Sequence, residues 1–251
     1  MTTADDHELA RTLAAETADL LVEALRDPAV RRRGWLSIEA LGDELAHDHL
    51  VRRLAEERPG DAVLSEEGAD DRSRLGARRV WIVDPLDGSS DFGWSGQWSV
   101  HVALCVEGRA VAGAVAVPAL GEVYATDPAP VPVMSRYGPR PLAVVSRSRQ
   151  QVDGRLLARA IGAEVAAVGS AGVKAMAVVR GEADVYLHGG GLYEWDSCAP
   201  VAVARAAGLH ASRLDGSEPV FNQPDPWMPG LLICRPELAP TILEAVAAAG
   251  R

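Results

Sequence analysis

The chain has 251 residues, 48% of them hydrophobic, enough to bury a sizeable core. Lys and Arg total 25 against 35 Asp and Glu, and the formal net charge of −10 argues against a nucleic-acid polymer or an anionic membrane surface as partner. The opening "MTTADDHELA" is polar and acidic, unlike a secretory signal, and no apolar run reaches a membrane span, so a cytoplasmic protein is expected.

Apolar residues recur at helical spacing from Asp5 to Leu25 through Leu9, Leu13, Leu20 and Leu21, and again from Asp43 to Glu57 through Leu45, Leu50 and Leu54, predicting two amphipathic helices. The Val-rich runs "DAVLSEEG", "VWIVDPL", "WSVHVALCV", "RAVAGAVAVPA" and "GEVYATD" then read as a sheet with hairpins. Prolines crowd the segment from Thr126 to Pro141, which excludes a helix or central strand there. The expectation is a crossing between an N-terminal α+β subdomain (about 1–130) and a C-terminal α/β subdomain (about 140–251) of one domain. Beyond it "LAVVSRS", "EVAAVGS" and "ADVYLH" read as strands alternating with helices over Gln150 to Ile161, Ala171 to Val179 and Asp196 to Ala207, a layered α/β pattern. Cys105, Cys198 and Cys234 are far apart in apolar surroundings, and are read as core thiols.

The stretch "VWIVDPLDGSSDF" ends a buried strand on Asp84, Asp87 and Asp91. Pro85 biases Asp84 toward extended backbone and ends the strand there; Asp87 lies one tight turn on, the Leu86 carbonyl can face the same point, and Gly88 permits close backbone approach. Hard oxygens so placed suit Mg²⁺. Ser89 and Ser90 open a turn or helix whose free N–H groups accept phosphate. Taken alone, the motif is equally an acidic turn capping a helix. Two distant segments bear on the choice. Glu66 and Glu67 end another apolar run and reach the same sheet edge if the strands are neighbours, though alone they read as solvated surface; Asp196 precedes an apolar helix at its N-cap position, where capping is an adequate role.

In combination, "SEEG", "WIVDPLDGSSDF" and "EWDSCAP" resemble the motifs of the lithium-sensitive, Mg²⁺-dependent phosphomonoesterases that include inositol monophosphatase, across nearly the whole chain. The phrases "ERPGDAVLSEE", "GSAGVKAMAV", "YLHGGGLYEWDSCAP" and "HASRLDGSEPVFNQ" look most like the CysQ-type 3'-phosphoadenosine 5'-phosphate phosphatases of actinobacteria. The resemblance implies an αβαβα layered sandwich and two or three Mg²⁺ ions. Glu66, Asp84 and the Leu86 carbonyl would hold the first ion, and Asp84, Asp87 and Asp196 the second. It also implies Ser89 and Asp43 as a proton relay for the attacking water, and the N–H groups of Gly88 and Ser89 as phosphate donors. Three departures accompany it: Ser89 stands where the family usually has Thr, Gly42 precedes Asp43 where Thr or Ala is usual, and "RRRGWLSIEALG", in the region that forms a mobile lid in relatives, reads less like the family pattern.

The implied substrate is a small phosphate monoester, foremost 3'-phosphoadenosine 5'-phosphate. Inositol phosphates, fructose 1,6-bisphosphate and a non-catalytic phosphate-binding role are the alternatives, and a homodimer is left open. Glu66, Asp87, Gly88, Ser89, Ser90, Ser170, Lys174 and Asp196 would contact the substrate. Lys174, following "GSAG", either faces water or reaches a second phosphate or ribose. "HGGG" at His188 reads as a glycine loop, the scattered histidines, His101 among them, as no metal set, and Trp94 and Trp98 as packing residues.

Overall fold

The first apolar stripe forms helix α1, Ala4–Arg26, in the computed structural model, which describes residues 3–32, 34–70, 72–131 and 140–250. Leu9, Leu13 and Leu21 are buried with Ala10 and Ala14, the face that the helical period assigns to the core. Thr3 and Asp6 close its N-terminus as a capping box. Helix α2, Pro28–Arg31, is capped by Asp27, whose carboxylate accepts from Ala29 N at 2.7 Å. Helix α3 spans Trp35–Glu57 and so begins well before Asp43. Its early turns gave little apolar signal because Leu36 stands exposed there and Ile38 is the buried residue.

The Val-rich runs pair into one sheet: β1 Ala62–Ser65, β2 Arg79–Asp87, β3 Ser99–Val106, β4 Arg109–Val117 and β5 Glu122–Ala125, neighbours in that order, with β1 parallel to β2 and the rest antiparallel. Every residue of β3 is buried, its two polar residues Ser99 and His101 included. Strand β2 does not stop at Asp84. Its register with β3 breaks after Asp84↔His101 and resumes at Asp87↔Ser99, because Pro85 has no N–H for the ladder and the chain bulges around it.

The second sheet has the order β10-β12-β8-β6-β7, built from β6 Leu142–Val145, β7 Glu164–Ala167, β8 Val185–His188, β10 His210–Ser212 and β12 Leu231–Cys234. A ribbon pairs β9 Leu192–Tyr193 with β11 Trp227–Met228. The helices of this half are α4 Arg155–Ile161, α5 Ala171–Val179, α6 Glu194–Ala206 and α7 Ala239–Ala248. The helix expected from Gln150 is α-helical only from Arg155, Gln150–Gly154 being a π turn.

Three cores stack these elements. Leu13 and Leu50 of α1 and α3 pack on Val83 and Val102 of the first sheet. Met176 and Cys198 of α5 and α6 lie between Ile82 and Cys105 of the first sheet and Tyr186 and Ile233 of the second. Leu157 and Ile242 of α4 and α7 cover Val185 and Leu232 on the outer face. The order is αβαβα, as expected, and both sheets share the middle core. All three cysteines are buried and free. Residues 132–139 of the proline-rich crossing lie outside the described residues. Among the described residues no helix is long and apolar enough to cross a membrane.

Candidate active site

The parallel pairing of β1 with β2 brings Glu66 beside Asp84, with Glu66 N donating to Val83 O at 3.3 Å. Asp84 is fully buried; its Oδ1 accepts from Leu86 N at 3.1 Å, folding the D-P-L turn back on itself, and its Oδ2 is buried without a partner. Carboxylate oxygens of Asp84, Asp87 and Asp196 lie within 4.8 Å of one another. Burial and then the charges of Glu66, Asp87 and Asp196 push Asp84 well above the usual carboxylate range. Burial and Asp87 push Asp196 up to about 7. Glu66, exposed as a residue but desolvated at its carboxyl, is also raised to about 7, its contact with Asp84 opposing the rise.

Asp87 differs. Burial disfavours its charge, yet His101, Lys174 and Ser170 hold it well below the usual range. Its carboxylate accepts from Ala171 N at 3.1 Å and Gly172 N at 2.8 Å, filling the positive end of α5, and from the Ser99 and Ser170 hydroxyls. An orphaned buried oxygen inside a set of hard oxygen donors, with like charges crowded on it, fits a hard divalent cation.

Asp196 is not the N-cap of α6. Tyr193 holds that position, and Asp196, third in the helix, reaches back so that its Oδ2 accepts from Tyr193 N at 2.6 Å. The early start of α3 places Glu39 one turn before Asp43 on the same face, and the Ser89 hydroxyl donates to Glu39 Oε1 at 2.9 Å, not to Asp43. Asp43 is half-buried, and burial together with Glu67 and Glu39 raises it to about 7. Gly42 has a steric reason: a Cβ there would lie 2.6 Å from Phe92 and 2.7 Å from Leu86, so only glycine lets α3 press against the D-P-L-D-G turn. Gly88 makes that turn with φ +86, and Ser90 is exposed.

Lys174 is buried. Its ammonium donates to the carbonyls of Ser170 and Val168 beneath the site and lies over the Tyr186 ring at 5.1 Å; burial lowers its pKa to about 8. Trp98 packs edge-on against Phe92 as expected, whereas Trp94 is 75% exposed and packs little. Two features carried no sequence signal. His101 sits inside the acidic cluster, 3.2 Å from Asp87 Oδ2. Glu194 accepts from Asn222 N and Gln223 N at 2.6 and 2.8 Å, while Arg74 joins Asn222 at 2.8 Å to Asp70 at 2.7 Å, bracing the segment after Glu66 against the start of α6.

Five layers with a carboxylate cluster at the sheet edge describe one class of protein, and the sequence profile of the Inositol monophosphatase family matches residues 6–129 and 136–251: the chain belongs to this family. It is 48% identical over 235 residues to the 3'-phosphoadenosine 5'-phosphate phosphatase of Mycobacterium bovis, covering 86% of this chain and 84% of that one. The protein of the same description from Mycobacterium leprae is 44% identical over 254 residues, covering 96% and 93%. Among solved structures, CysQ from Bacteroides thetaiotaomicron, a bacterial member of the same family, superposes with a TM-score of 0.76 at 27% identity, covering 92% of this chain and 97% of that one.

Proposed function

We propose that the protein is a magnesium-dependent phosphomonoesterase that hydrolyses the 3'-phosphate of 3'-phosphoadenosine 5'-phosphate, giving AMP and inorganic phosphate. The observation that carries the reading is the partnerless Oδ2 of Asp84 among the converging carboxylates of Asp87 and Asp196. Relatives that carry this activity in their names, at 44% and 48% identity, support the choice of substrate.

Glu66, Asp84 and the Leu86 carbonyl would hold one ion, and Asp84, Asp87 and Asp196 a second. Bound there, magnesium supplies Lewis acidity toward the phosphate and the attacking water. The chain's own groups do the rest. Ser89 directs its hydroxyl proton onto Glu39, which leaves its oxygen free to accept a hydrogen bond from a water approaching phosphorus. Glu39 and Asp43, the latter poised near 7, form the carboxyl pair that receives the proton. The N–H groups of Gly88 and Ser89 donate to phosphate oxygens, and a water near Asp196 protonates the departing oxygen of the ribose.

The test is phosphate release with Mg²⁺ from 3'-phosphoadenosine 5'-phosphate, inositol 1-phosphate, fructose 1,6-bisphosphate and AMP. The expected result is the highest kcat/KM on the first. A preference for inositol phosphate overturns the substrate assignment, and no release from any of them overturns the enzymatic reading.

A further inference from the structure

Strand β3 alternates between two neighbourhoods. Val100, Val102, Leu104 and Val106 join the core with α1 and α3, while Ala103 and Cys105 join the middle core with α5 and α6. Ser99 and His101 continue the second stripe, so two polar side chains, both at 0% exposure, occupy positions where an apolar residue would serve packing as well. A buried polar group lowers stability unless its partners are in place, which asks what these partners are.

For His101 they belong to both ligand-bearing segments of the proposed metal site. Nδ1 lies 3.1 Å from the Trp195 carbonyl, the residue immediately before Asp196 in α6. On the other side of the ring, Nε2 lies 3.2 Å from Asp87 Oδ2 and 3.0 Å from Ser99 Oγ. Nδ1 is also 4.0 Å from Asp84 Oδ2. One rigid imidazole therefore spans from the sheet-borne carboxylates to the helix that carries Asp196. Room for it is kept on the α5 side, where a Cβ on Gly172 would stand 2.2 Å from Nε2 and 2.4 Å from Ser99 Oγ.

We infer that His101 is a positioning residue that fixes the separation between Asp87 and Asp196, so that the two carboxylates act as one divalent-cation site. The inference rests on the metal reading above and adds to it a group that touches no ion. Without the ring, Asp87 keeps its bonds to α5 and Ser99 but loses the hydrogen-bonded tie to the Trp195 carbonyl in the first turn of α6, and Asp196 is left to its bond with Tyr193 N and to the packing of its helix. Partners that orient metal ligands in this way typically control affinity by about 10- to 100-fold.

The experiment is calorimetric titration of the purified full chain with Mn²⁺ and Mg²⁺, in the original sequence and in His101→Val, His101→Asn and His101→Gln, each at a temperature where scanning calorimetry shows it folded. Asn keeps a donor near the Nδ1 position and Gln one near the Nε2 position, so each restores one side of the bridge. His101→Val is expected to bind at least tenfold more weakly, with Asn and Gln each recovering only part of the loss. Cys105→Ala, two residues along the same buried stripe, is expected to lower the melting temperature and leave affinity unchanged. Should the three His101 variants bind as tightly as the original, or should Cys105→Ala weaken binding equally, the positioning role is overturned. Absence of divalent binding by the original sequence overturns the metal reading itself.

Discussion

Asp84→Asn separates the cost of the acidic cluster from its use. With no cation bound, Asp84 meets Asp87 and Asp196 within 4.8 Å, and a like-charged pair at that distance is unfavourable by about 3.5 kcal/mol at an effective dielectric constant of ~20. His101, 4.0 Å from Oδ2, offsets part of the sum, and protonation of Asp84 relieves part of the remainder. A neutral amide of the same shape also gives the orphaned position two N–H donors facing carboxylate acceptors. The variant should therefore be more stable than the original in EDTA by about 2 kcal/mol, which for a chain of this size raises Tm by roughly 4–8 °C. Saturating Mg²⁺ should raise the original by about 2.7 kcal/mol at a hundredfold excess over Kd and the variant far less, so the two melting curves approach or cross. Turnover should fall at least a hundredfold, since one charge is lost from both proposed ion positions. Scanning calorimetry with and without Mg²⁺, alongside phosphate release, reads all three quantities. A variant that melts below the original in EDTA, or that turns over within tenfold of it, refutes the reasoning.

Glu39→Gln should lower kcat by two to four orders of magnitude with KM within a few-fold, because the Ser89 hydroxyl is committed to Glu39, and steady-state kinetics would expose an unaffected variant. Carboxyls raised in the folded state, as Asp43, Glu66 and Asp196 are to about 7, contribute stability that is present below about pH 4 and lost as pH rises through 7. The metal-free protein should accordingly lose Tm between pH 5 and 8, and the rise produced by Mg²⁺ should be larger at pH 8; equal Mg²⁺ effects at both would contradict the cluster. Lys174→Met removes an ammonium that supports the Ser170 and Val168 carbonyls, so kcat/KM should fall by similar factors on 3'-phosphoadenosine 5'-phosphate and on inositol 1-phosphate; a loss confined to the nucleotide would return Lys174 to the substrate rim. Gly42→Ala gains about 1 kcal/mol of helix propensity but sets a methyl 2.6 Å from Phe92, and overpacking of about 1–3 kcal/mol should win, lowering both Tm and kcat.

What was legible in the sequence follows from where polarity interrupts an apolar run. Asp84 and Asp87 stood out because a proline follows the first and a glycine the second at the end of a strand buried on both faces, and Glu66 because its own run stops at the same edge. The alternation of strands and helices in the second half was legible from periodicity, whereas the αβαβα order came with the family resemblance. Position within a turn was less legible. An aspartate at the cap accepts from an N–H in the first turn, whereas Asp196 at the third residue of α6 accepts from the N–H of the cap, reciprocal roles that sequence spacing alone does not distinguish. The partner of Ser89 was missed because the first turns of α3 carry an exposed leucine instead of an apolar stripe, so the expected helix starts at Asp43, about two turns after its true start at Trp35, and leaves Glu39 outside it.

His101 marks the limit of reading along the chain, and the reason is geometric. Within "SVHVALCV" a lone histidine has no spacing relation to any acid, since its partners come from the turn before β3 and from a helix that begins in the other half of the protein. Antiparallel register supplies the missing relation: His101 faces Asp84, and Ser99 faces Asp87. The two polar residues of the stripe thus stand opposite the two aspartates across the bulge that Pro85 creates. A strand that is apolar except where it faces carboxylates across a proline bulge is polar for the sake of those carboxylates. The same test, pairing first and polarity second, picks out Ser99 as the group that ties the sheet to Ser170 at 2.8 Å, and through it to the start of α5.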